Sequence, residues 1–88
     1  MKFFNLSFGT SRHTETSFII TSELFQRYQN NIWKVVEQVE DVQRNHLTSG
    51  IFALRVKSNP DRIVVQHEKS VAKEDIEKLL YEHFLRLG

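Results

Sequence analysis

The chain has 88 residues, 40% hydrophobic and 26% charged, with twelve Lys and Arg against eleven Asp and Glu and no cysteine. That length fits one domain with a modest core, and the composition is that of a globular chain, not a disordered one. A net charge of +1 argues against an acidic nucleic-acid mimic and lacks the basic excess usual in a nucleic-acid binder of this size; without cysteine there is neither a disulfide framework nor a thiolate metal site.

The apolar runs Phe18 to Ile20 and Ile63 to Val65 are far too short to cross a bilayer. Met1-Lys2-Phe3-Phe4 starts like a signal peptide, but Asn5 and Ser7 interrupt the apolar region and Arg12 and His13 follow. The expected setting is therefore cytoplasmic, with no membrane association.

In chain order, Lys2 to Phe8 alternates, with Phe4, Leu6 and Phe8 on one side, and reads as a strand that Gly9 ends. Thr10 to Thr16 reads as a polar loop, and Ser17 to Thr21 as a second strand or an extended lead-in to a helix. Ser22 to His46 reads as one helix of about six turns. Phe25, Tyr28, Ile32, Val35, Val36, Val39 and Val42 form its stripe, while Glu23, Arg27, Lys34, Glu37, Asp41 and Arg44 occupy the remaining circumference. Thr21 or Ser22 is the expected N-cap, with Glu23 in the positive first turn and His46 near the negative end. An apolar stripe of this kind is stable only when something covers it.

Thr48-Ser49-Gly50 is turn chemistry. Ile51 to Lys57 alternates, Phe52, Leu54 and Val56 against Ala53, Arg55 and Lys57. Ser58-Asn59-Pro60-Asp61 is a turn, with proline expected at its second position, and Arg62 to Glu68 is the return strand of an antiparallel hairpin. Ser70 is the expected cap of a last helix with Glu74 and Asp75 in its first turn and a stripe of Ala72, Ile76, Leu79, Leu80, His83 and Leu87. The order β(β)αββα predicts an α+β two-layer sandwich over residues 1–88, a single domain with both helices on one face of a mainly antiparallel sheet.

The run from Leu54-Arg55-Val56 through Ile63-Val64-Val65 to Lys73-Glu74-Asp75-Ile76 resembles the strand-turn-strand-helix order of the DNA-damage-inducible regulators of the DinI type, over about half the chain by matched length. The last helix of that family is strongly acidic. Here Lys73, Lys78 and Arg86 offset much of Glu74, Asp75, Glu77 and Glu82, so the resemblance concerns element order and carries no residue roles.

Constellations with chemical potential are few. Ser11, His13 and Glu15 supply the residue types of a nucleophile, base and orienter, but alternation in a loop does not build a triad, which needs rigid geometry assembled across a fold. The four histidines, 13, 46, 67 and 83, lack the spacing of a metal site, and no glycine-rich phosphate loop exists. His83, inside an apolar stripe, is foremost a histidine at the edge of the core. The sequence therefore predicts neither enzyme activity nor a cofactor, metal or small-molecule substrate.

Two surfaces remain. Trp33, Tyr81 and Leu85 lie off the helix stripes; large side chains away from a core stripe mark partner surfaces when they are not buried between neighbouring helices. They make the leading expectation a small regulatory or interaction protein that binds another protein, or itself, through helix surfaces. Arg55, Lys57 and Arg62, with Arg12 and His13 in the first loop, make the alternative a nucleic-acid-binding protein using a basic sheet face. That face needs exposed aromatics for base stacking, and only Phe3 offers one.

Overall fold

The computed structural model describes residues 13–84. The expected strand from Lys2 to Phe8, together with Arg12 and Leu85, falls outside them. The described elements are β1 (His13–Ile19), α1 (Ser22–Arg27), α2 (Ile32–Asn45), β2 (Ile51–Lys57), β3 (Arg62–Glu68) and α3 (Lys73–Phe84). The strands form an antiparallel sheet in the order β1-β3-β2.

The expected polar loop from Thr10 to Thr16 is strand from His13 onward. Its polar letters hide a period of two, because Thr14, Thr16 and Phe18 stand opposite His67, Val65 and Ile63 of β3. Opposed residues of an antiparallel pair point to one face. The central strand therefore decides which half of β1 turns inward, and threonine suits that half-buried position.

The single helix expected from Ser22 to His46 is two helices. Thr21 caps α1, its Oγ1 accepting from the Leu24 N–H at 3.1 Å. The α1 end then closes as a Schellman motif: the Asn30 N–H reaches the Phe25 carbonyl and the Gln29 N–H the Gln26 carbonyl, both at 3.0 Å. Gln29 and Asn30 have φ of 61° and 52°, left-handed values that usually call for glycine or asparagine. Asn31 then caps α2, its Oδ1 accepting from the Trp33 N–H at 3.0 Å. No glycine or proline marks the break; its local signal is the pair Asn30-Asn31, the first a residue that tolerates left-handed backbone and the second an N-cap type. The break lets α1 bury Leu24, left off the expected stripe, and sets the Tyr28 ring 6.2 Å from that of Phe84.

α2 buries Val35, Val39 and Val42, packs on β2, and ends at His46, whose N–H reaches the Val42 carbonyl at 2.8 Å. The Gln43 side-chain oxygen accepts from the Leu54 N–H at 2.8 Å, so the helix layer also satisfies a backbone donor of β2. α3 begins after Ala72, whose carbonyl accepts from Asp75 and Ile76. Ser70 does not cap it; the Ser70 hydroxyl sits 3.4 Å from a Glu68 carboxylate oxygen in the turn after β3. α3 buries Ile76, Leu79, Leu80 and Phe84, the last absent from the expected stripe.

These side chains form one cluster with Phe18, Ile20, Ile51, Leu54, Ile63 and Val65. It lies between the helices and one face of the sheet. Val64, only 3% exposed, stands outside that cluster, on the opposite face, flanked in register by Ser17 and Arg55. The architecture is thus the expected α+β arrangement of helices on an antiparallel sheet. In the hairpin turn Asn59 has φ 61° and its bond to Pro60 is cis. The proline is third in Ser58–Asp61, not second as expected.

Candidate functional site

The buried polar chemistry is self-contained. His67 is 4% exposed and turns inward beside Thr14 and Thr16. Its Nδ1 lies 2.8 Å from the Glu68 carbonyl oxygen and its Nε2 2.8 Å from the Thr16 hydroxyl. A neutral ring with the proton on Nδ1 satisfies both, donating to the carbonyl and accepting from Thr16. This is a core histidine holding β1 to β3.

The residues considered for catalysis do not meet. Ser11 lies outside the described residues. His13 and Glu15 share the open face of β1 but engage different partners. The His13 ring centroid is 4.5 Å from that of Phe52, and a Glu15 carboxylate oxygen accepts from the Gln66 amide at 3.0 Å. His46 and His83 come together at the α2–α3 junction, ring centroids 4.4 Å apart, with His46 Nε2 3.7 Å from an Asp41 carboxylate oxygen. Among the described residues no group of three or more His, Asp or Glu is arranged to hold a metal ion. Close by, burial pushes the Tyr28 phenol above its usual range, partly offset by the charge of Arg27.

A groove of about 580 Å³ runs between the turn at Gly50 and α3, with Glu68, Asp75, Glu82 and Lys78 along its walls. Gly50 is required there twice over. Its φ is 86°, and a Cβ at this position would stand 2.6 Å from a Val71 methyl.

The two surfaces expected from the sequence are both on the outside. Trp33, in the first turn of α2, is 70% exposed, and Tyr81 on α3 is 52% exposed. Neither belongs to an interhelix core. On the sheet, Arg55 and Lys57 point out from β2 and are exposed. Arg62 is opposite Lys57, but its guanidinium is held by the turn, donating to the Ser58 and Pro60 carbonyls at 2.7 and 3.0 Å.

Phe52 departs from the expected alternation. A bulge between Ile51 and Ala53 keeps both Ile51 and Leu54 buried and leaves Phe52 outside, 44% exposed. Classing Phe52 with Leu54 and Val56 assumed an unbroken period of two, and the extra residue breaks that period. The sequence signal was the adjacent pair Ile51-Phe52, which cannot both face the core in a regular strand. Ile19, at the far edge of the same face, is 47% exposed.

Comparison with protein-family models, curated proteins and solved structures finds no match to this chain. The resemblance of its second half to a regulator family accordingly rests on element order alone. No helix among the described residues is long and apolar enough to cross a membrane.

Proposed function

We propose that this chain is a small non-enzymatic binding protein that engages another protein through its helix layer, with Trp33 as the anchor. The carrying observation is the 70% exposure of Trp33, the largest among the exposed large hydrophobic side chains. It stands on a helix turn that is already capped. Tryptophan and tyrosine supply large rigid contact area and dominate the energetics of most interfaces. Tyr81, 52% exposed on α3, extends the surface; Leu85, outside the described residues, joins it on its place in the sequence alone.

The test separates binding from folding. Trp33→Ala and Tyr81→Ala are compared with wild type by sedimentation for self-association and by quantitative pull-down of the proteins that wild type retains. Each change is expected to weaken association by about 2 kcal/mol or more while leaving the melting transition nearly in place. A second copy as the partner is one outcome of the sedimentation arm. If both variants lose stability while association is untouched, these side chains support the fold and the reading fails.

A further inference from the structure

The face of the sheet away from the helices carries an arrangement that the helix-layer reading does not use. At one end, Phe52 reaches across the central strand to His13 on the far strand, and the two rings meet at 4.5 Å with a 48° tilt. Both residues are exposed. At the other end Lys57 stands opposite Arg62, and Arg55 is on the adjoining outward rung opposite Val64. Arg62 is occupied by the turn carbonyls. Among the described residues, neither the Arg55 nor the Lys57 side chain is engaged in a hydrogen bond or ion pair. At the Phe52 end itself, a hollow of about 320 Å³ is lined by His13, Thr14, Glu15, Phe52 and Gln66.

We propose that this face binds single-stranded nucleic acid, with a base stacked at the Phe52–His13 pair and the adjoining phosphates on Arg55 and Lys57. Exposed aromatic rings give sequence-tolerant stacking because every base presents a π face, and nearby cations track the backbone. The missing ingredient of the basic face, an outward aromatic, is what the β2 bulge supplies.

The charge distribution fixes where the backbone of the bound strand lies. Glu15 and Glu68 share the Phe52 end of the face and disfavour phosphate there, so the backbone is held at the hairpin end. Two unengaged cations are too few for the dense charge of a duplex. They suit a single strand whose unpaired bases can reach the rings. The surface lies on the opposite side of the sheet from the helix layer that carries Trp33, so neither reading depends on the other.

The test is fluorescence anisotropy of a labelled single-stranded oligothymidylate of about ten nucleotides, within the usual span of such sites. It is titrated with the full chain over a salt series, beside a duplex of equal length. Wild type is expected to prefer the single strand, with a slope of log K on log salt of about −1.4, the value for two phosphate contacts on a single strand.

Phe52→Ala is expected to weaken binding about tenfold or more, and Phe52→Leu, which keeps apolar bulk but removes the ring, to weaken it as well. Arg55→Ser with Lys57→Ser should bring the slope close to zero, and Trp33→Ala should change nothing. Melting curves of each variant confirm that it is folded. The proposal is overturned if wild type fails to bind at low salt, or if it holds the duplex as tightly as the single strand. It is equally overturned if folded Phe52→Leu binds like wild type.

Discussion

The two faces of the sheet are alternate residues of the same three strands, yet they obey different rules. Toward the helices stand Phe18, Ile63, Val65, Leu54 and the satisfied polar pair of Thr16 and His67. Away from them stand Ile19, Arg55, Lys57, the His13–Phe52 pair, and Val64 at the centre. On the first face each side chain is held by its neighbours, so its chemistry is limited to filling space and closing hydrogen bonds. On the second, Val64 at the centre is buried, but charge and aromatic surface at the margins remain exposed. Composition does not separate the two, since both carry apolar, polar and histidine residues; what differs, among the described residues, is whether a helix packs on them.

The sharpest way to break the contrast is to place a charge under the helices. Val35 is fully buried against the covered face. Val35→Asp strands an unpaired carboxylate there, at a cost of about 3 kcal/mol or more, a large share of the stability of so small a domain. The cooperative thermal transition should disappear at 25 °C or shift far down. A variant that melts like wild type would show that α2 does not cover this face.

A smaller effect probes the polar pair on the same side. Thr16→Val keeps the shape but removes the hydroxyl that meets His67 Nε2, leaving a buried acceptor without a partner. The expected loss is about 1–3 kcal/mol by chemical denaturation. Thr16→Ser should recover most of it. Equal loss in both variants would place the cause in packing and not in the hydrogen bond.

The smallest effect belongs to the uncovered face. Replacing Arg55 and Lys57 together by serine should alter folding stability by less than about 0.5 kcal/mol, because both are exposed and neither side chain forms a hydrogen bond or ion pair among the described residues. A loss comparable to that of Thr16→Val would mean that these cations hold the fold, and the contrast between faces would fail on its outer side.

Much of the fold was legible because local rules sufficed. The β2 and β3 strands, the turn between them, the Thr21 cap and the α2 terminus at His46 all follow from period, cap and turn chemistry over a few residues. The outward position of Trp33 followed from helical spacing, but its exposure did not, since a neighbouring helix could have covered it. The break at Gln29-Asn30 was masked by the continuous apolar stripe on either side of it, although Asn30-Asn31 supplies a left-handed residue and a cap; the hydrogen bonds to Phe25 and Gln26 hold it.

The sequence by itself determined the β2–β3 antiparallel hairpin, the helical character of α2 and α3, and the Val35, Val39 and Val42 stripe of α2, since each depends on neighbours within one or two turns of chain. The tertiary structure alone decided that His13 begins a strand, because its partner Glu68 lies 55 positions away, 68 against 13. It also decided that Phe52 points outward. Ile51 and Leu54 both belong to the core, and only an extra residue between them lets one strand present both to the same cluster. Long-range register, not local propensity, therefore placed the aromatic ring beside the cations of the uncovered face.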